Sequence, residues 1–247
     1  MVMSRLHLIR HAQASFGSAD YDQLSELGEE QSRRLGTHWA EQAWDFDRVY
    51  VGPRRRHQRT AELAGAALRA HGRGWKDPQV LTELDEYAGL QVFRAVAAQT
   101  GLKEAMLAAQ FARPSSSESA GPSGDAVKLE LLKQFQGTMA RWVSGELVVP
   151  DVETWADFRA RARRVLQGIL ADCPSGQRIA IFTSTGPIAA ALDLALNLQD
   201  QAMMETSWQL RNTSVSEFLF TSARFTLSTF NTLPHLSAGD RTLITHI

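Results

Sequence analysis

Apolar and polar positions alternate along this chain between short apolar runs and longer stretches of helical period. Leu6 to Ile9, interrupted only by His7, reads as a first strand over residues 5–9. Ser25 supplies a capping oxygen to a helix expected to run through Trp39. Glu26, Glu29 and Glu30 in its first turn suit the positive end of the helix dipole. Phe46 to Val51 reads as a second strand, and after the Gly52-Pro53 turn a helix is expected over about Arg55 to Ala70, ending near Gly72 and Gly74. Further helices are expected over Leu102–Phe111 and Lys128–Val143. The segment between them, Pro114 to Gly124, is so poor in apolar residues that it reads as a flexible loop. Phe158, Ala162, Val165 and Ile169 fall on one face of a helix over Trp155–Leu170. Arg178 to Thr183 is a buried strand, a helix follows Pro187, and residues 215–220 and 225–230 form a closing hairpin. Strands alternating with helices predict an α/β fold with a mostly parallel sheet covered by helices.

Composition narrows the class. With 247 residues, 44% hydrophobic and 21% charged, the chain can bury a large core, and one domain over residues 1–247 is expected. The net charge of -1 offers no general attraction to nucleic acid or an anionic membrane, so a small anionic partner is favoured. The single cysteine, Cys173, rules out an intrachain disulfide and a cysteine-rich zinc site, which makes a cytoplasmic location the default. Arg5, His7 and Arg10 interrupt the only apolar stretch near the amino terminus, so neither a secretory signal nor a membrane span is expected. Oligomeric state is not legible.

The first strand ends on Arg10-His11-Ala12-Gln13. That places a guanidinium and an imidazole at a strand's carboxyl edge, where open α/β sheets bind ligands. Arginine offers a planar fork of donors suited to phosphate, and histidine can serve as nucleophile, base or metal ligand. A strand-end histidine is more often a structurally satisfied residue, so the pair alone does not establish a site.

Arg10-His11 resembles the signature of the histidine phosphatase superfamily, the branch with the phosphoglycerate mutases and many small phosphatases. The resemblance continues through Leu24-Ser25-Glu26-Leu27-Gly28, Arg56-His57-Gln58-Arg59-Thr60-Ala61-Glu62, Leu81-Thr82-Glu83, the strand and turn from Ile179 to Ile188, and Arg211-Asn212-Thr213-Ser214-Val215. It implies a three-layer α/β sandwich, phosphoglycerate mutase-like, acting on a small phosphorylated substrate without cofactor or metal. His11 is then the nucleophile that forms a phosphohistidine, with Arg10 beside it on the phosphoryl oxygens. Arg56 is the second arginine, because it stands four residues before Thr60-Ala61; Arg54 and Arg55 are its rivals. Three cations at one helix start are unfavourable unless an anion sits there. Glu83 is the general acid or base, with Asp85 and Glu86 as neighbours in the same turn.

Several positions depart from the family. Where it carries Ser-His-Gly at the end of a later strand, this chain reads Phe182-Thr183-Ser184-Thr185-Gly186-Pro187-Ile188, without the second histidine. Counting back from Ile188 puts Ser184 at that position, whereas counting from Gly186 puts Thr185 there. A hydroxyl can still donate to a phosphoryl oxygen, but loss of one preorganised donor typically costs about 10²–10³ in rate. The amides at the start of the following helix, or His57 or His235 entering from elsewhere, are candidate compensation. Ala12 replaces a glycine, which is costly only if φ is positive, and Gly17 stands where an asparagine contacts phosphate in mutases and many phosphatases. The expected activity is phosphomonoester hydrolysis. An impaired phosphate-binding or interaction module of the same fold is the alternative, and a mutase-type phosphotransferase the third.

Overall fold

In a computed structural model, the described residues are 3–15, 22–99, 122–237 and 239–246. They group into two compact units. The first comes from Met1–Ser15, Asp22–Glu86 and Ala160–Ile247, and the second from the described residues between Tyr87 and Arg159.

The first unit holds a six-stranded sheet, β1 (Ser4–Arg10), β2 (Arg48–Val51), β3 (Gln79–Val80), β4 (Arg178–Thr183), β5 (Val215–Thr221) and β6 (Arg224–Thr232), in the order β3-β2-β4-β1-β5-β6. The first four are mutually parallel. β5 runs antiparallel to β1 and pairs antiparallel with β6, so the predicted hairpin closes one edge. Parallel β1 and β4 end together, Arg10 opposite Thr183, which delivers the residues after both strands to one sheet edge.

Helices α1 (Glu26–Glu41) and α2 (Arg55–Ala70) cover one face of this sheet. Leu35 and Trp39 of α1 and Ala61, Ala64 and Leu68 of α2 pack on Ile9, Val49, Val51, Ala180 and Phe182. The alternate strand residues Leu6, Leu8, Ile179 and Ile181 are fully buried on the opposite face, where α6 (Thr185–Leu196) lies against β1 and β6. Ser25 caps α1 as expected, accepting from the Gly28 amide at 3.0 Å. Gly28 is required for a second reason: a Cβ there would lie 2.1 Å from the Gln13 carbonyl oxygen, which fixes the loop after His11 against α1.

The second unit carries α3 (Gly89–Gln99), α4 (Pro122–Val143) and the first residues of α5 (Trp155–Ala171). Tyr87, Trp142, Trp155 and Phe158 form an aromatic cluster with ring centroids 5.3–6.0 Å apart. The expected helix over Leu102–Phe111 and most of the expected loop, residues 114–121, lie outside the described residues. Pro122 to Gly124 belong to α4 rather than to a loop; proline is well suited to a first helical turn because its missing N–H would be unpaired there anyway. The remaining short helix, α7 (Asp200–Ser207), follows α6. Among the described residues, no helix is long and apolar enough to cross a membrane.

Candidate active site

The sheet edge at the ends of β1 and β4 gathers the chemistry. His11 is 5% exposed, and its backbone is clamped from both neighbouring segments. Its amide donates to the Thr183 carbonyl at 2.8 Å, and its carbonyl accepts from Asn212 Nδ2 at 3.0 Å. Thr213, held at φ 55°, donates its amide to the Arg10 carbonyl at 3.1 Å. His235 Nε2 lies 3.0 Å from the Thr213 hydroxyl, so this histidine serves the strained residue behind the site.

The His11 ring is oriented by its own loop. Nδ1 lies 2.8 Å from the Ala12 carbonyl, an acceptor only, so Nδ1 carries the proton and Nε2 keeps a lone pair. Burial, then the charges of Arg56 and Arg10 and the neighbouring His57, holds the imidazole well below its ordinary pKa and therefore neutral. Ala12 is absent from the residues with positive φ, so its replacement of glycine carries no left-handed strain. Its amide donates to Thr60 Oγ1 at 3.0 Å, and that hydroxyl donates to the Arg56 carbonyl at 2.7 Å, tying the loop to the first turn of α2.

The three arginines opening α2 separate cleanly. Arg56 is 4% exposed, Arg55 is exposed, and Arg54 pairs with Asp85. Arg56 meets Asp22 Oδ1 at 2.8 Å, while Asp22 Oδ2 accepts the Arg55 amide at 2.8 Å. One carboxylate thus covers both the helix start and the buried guanidinium. Arg10 donates through one terminal nitrogen to the carbonyls of Leu210 and His246. Asp22 gave no local sequence signal for its role, and Asn212 and Thr213 stand out in the sequence only as part of the Arg211–Val215 resemblance, without a role, because each acts through partners far along the chain.

The segment after β3 places its carboxyls differently. Glu83 is exposed, accepts from the adjacent Thr82 hydroxyl at 3.2 Å, and offers its backbone carbonyl to Arg161 at 2.6 Å. Neither of these contacts joins it to His11. Glu86 instead reaches the start of α6, where its two oxygens accept from the Gly186 amide at 2.8 Å and from the Thr185 amide and hydroxyl at 3.0 and 2.9 Å. Thr185 is therefore engaged with Glu86. Ser184, fully buried at the end of β4, lies 2.7 Å from His57 Nε2. The His57 ring sits 5.6 Å from that of His11, inclined at 38°. Among the described residues no group of three or more His, Cys, Asp or Glu is arranged to hold a metal.

A sequence model of the histidine phosphatase superfamily (branch 1) matches residues 6–128 and 119–233. The chain belongs to that superfamily. Solved structures carry the same fold at low identity. A mutant phosphoserine phosphatase of Entamoeba histolytica, in complex with phosphoserine, is 17% identical with a TM-score of 0.62, over 95% of this chain and 100% of that one. A phosphoglycerate mutase from Bacillus anthracis is 16% identical with a TM-score of 0.60, over 95% of each chain. The alpha-ribazole phosphatase from Shigella flexneri is 17% identical with a TM-score of 0.62, over 93% of this chain and 96% of that one. No curated protein matches the sequence. This member of the superfamily has a phosphoglycerate mutase-like sheet, as expected.

Proposed function

We propose that this protein is a phosphatase that hydrolyses a small phosphomonoester through a phosphohistidine on His11. One observation carries the reading: a buried neutral imidazole with an unprotonated Nε2, flanked by Arg10 and Arg56. In the first step the Nε2 lone pair forms a bond to phosphorus, the ester P–O bond breaks, and a carboxyl gives its proton to the leaving oxygen. In the second, water attacks phosphorus and passes a proton to that carboxylate. The N–P bond then breaks and its electron pair returns to Nε2. Arg10, Arg56, Ser184 or Thr185, and the first amides of α6 would share the phosphoryl charge. No metal enters this scheme. Sequence position makes Glu83 the proton carrier; Glu86 is the second candidate, since it is the carboxyl held at the α6 start. The named neighbours, a phosphoserine phosphatase, a phosphoglycerate mutase and an alpha-ribazole phosphatase, support a small phosphorylated substrate.

The test is steady-state hydrolysis of p-nitrophenyl phosphate in EDTA across about pH 4 to 8, where carboxylates and imidazoles titrate. His11→Ala is expected to lower kcat by at least about 10³-fold with an unchanged circular dichroism spectrum. Full activity in that variant would overturn the nucleophile. A hydroxyl, Ser184 or Thr185, in place of the second histidine that the resemblance implies, with Glu86 seated on the α6 amides, favours one alternative: a phosphate-binding module without turnover. That reading requires an inactive wild-type protein whose Tm still rises with phosphate or vanadate.

A further inference from the structure

Ser184 stands at the N-cap of α6, where a serine hydroxyl ordinarily accepts from an amide of the first turn. It makes no such bond here. Glu86 has taken the Thr185 and Gly186 amides, and the hydroxyl is drawn to His57 Nε2 at 2.7 Å. His57 is itself fully buried on the first turn of α2, one residue after Arg56, with its ring beside that of His11. Room for the ring exists because residue 52 is glycine. A Cβ on Gly52 would lie 2.3 Å from His57 Nδ1 and 2.8 Å from the Leu84 carbonyl oxygen, both too close to be tolerated. Gly52 and His57, at the entry to α2, and Ser184, at the end of β4, therefore form one mutually dependent unit.

We propose that His57 is a positioning residue of this site, an imidazole supplied from α2 that holds the Ser184 hydroxyl directed at a phosphoryl group carried by His11. The proposal rests on the phosphoryl-transfer reading of His11. A neutral imidazole has one donor and one acceptor nitrogen. In the proposed role the neutral ring carries its proton on Nε2: Nε2–H then donates to Ser184 Oγ, the serine proton is left to point at an acceptor in the pocket, and the oxygen's remaining freedom is removed. A preorganised neutral donor then replaces the charged one that the end of β4 lacks. His57 does not touch the phosphoryl group; its effect passes entirely through Ser184.

The experiment is a double-mutant cycle on the full chain, with p-nitrophenyl phosphate kinetics and orthovanadate binding by calorimetry as readouts. His57→Leu, which fills the space without a donor, is expected to lower kcat/KM about 10²-fold. His57→Gln, whose amide can still reach the hydroxyl, should recover most of that loss. Ser184→Ala should cost about as much as His57→Leu, and the double variant no more than either. If His57→Leu does not fold, His57→Asn, too short to reach Ser184, takes its place. Wild-type behaviour of His57→Leu, or additive losses in the double variant, would overturn the role of His57 while leaving the phosphatase reading intact. A wild-type protein that neither hydrolyses the ester nor binds vanadate would overturn that reading and this proposal with it. If vanadate binds without turnover, the same cycle is decided on its Kd.

Discussion

Ser184 and His57 share one space, which governs what restoring a histidine at position 184 can achieve. The serine oxygen is already 2.7 Å from His57 Nε2, so an imidazole grown from the same Cβ would run into the existing ring. Ser184→His alone is accordingly expected to cost about 1–3 kcal/mol through overpacking, and to lower turnover rather than raise it. Adding His57→Ala vacates the site, and the pair should exceed the Ser184→His single variant at least tenfold in kcat/KM. Urea unfolding and p-nitrophenyl phosphate kinetics on the three proteins check both halves. Equal activity in the single and double variants would mean that the two side chains do not compete. At this scale the sequence singled out, by its spacing four residues before Thr60, the arginine of its triplet that is buried, Arg56. It was unreadable where a role depends on contact across the chain: His57 meets a partner 127 positions away, and nothing near it records that. The resemblance ranks Glu83 first among the carboxyls of the 83–86 turn, but that Glu86 is the one facing the α6 amides depends on the turn's backbone and was not legible.

Two helices, α2 and α6, begin at the site edge, and each starts under a carboxylate from another segment. Asp22 covers the Arg55 amide and Arg56, and Glu86 covers the first two amides of α6. Helix starts favour negative charge by about 0.3–1 kcal/mol, more when partly buried. A phosphoryl group must therefore compete with these carboxylates for the same donors. Glu86→Gln removes the competing charge at α6. Orthovanadate should bind about three- to tenfold more tightly, a gain near 1 kcal/mol, while the protein loses about as much stability to urea. Weaker vanadate binding in Glu86→Gln would show that Glu86 assists the ligand instead of displacing it. Most of the element order was legible because local rules set it: Ser25 at a cap, Gly52-Pro53 before α2, and alternating apolar residues in the closing hairpin. α3 and α7 escaped prediction. α3 has no serine, threonine, aspartate or asparagine just before Gly89, and α7 is only eight residues long, too short to show a helical period.

The molecule buries several neutral imidazoles, and that sets its tolerance of acid. His7 is fully buried between Trp44 and Phe46, with ring centroids at 5.0 and 5.7 Å. Burial, with Arg178 and Arg5 nearby, brings its pKa from 6.5 to about 3. His235 falls to about 3 chiefly by burial, and His11 and His57 are also lowered. Because the folded state holds these rings unprotonated while the unfolded chain protonates them below about pH 6.5, their contribution is complete above that pH. It drains away as the pH drops toward 3, by about 1.4 kcal/mol per pH unit for each ring. His7 and His235 alone then remove about 3 kcal/mol between pH 6.5 and 5, a large share of the 5–15 kcal/mol typical of a domain. Urea midpoints should fall steeply over that interval. His7→Phe, which keeps an aromatic ring among aromatic neighbours and removes the titration, should flatten the fall by about one proton. The same logic fixes the acid limb of activity. His11 stays unprotonated well below its ordinary range, so loss of rate near pH 5 should follow unfolding rather than protonation of the nucleophile. Tryptophan fluorescence and p-nitrophenyl phosphate turnover, recorded together from pH 7 to 4, should decline in step, and His7→Phe should move both curves to lower pH. A rate that collapses while the fluorescence stays native, and that His7→Phe leaves in place, would instead locate the titrating group inside the site.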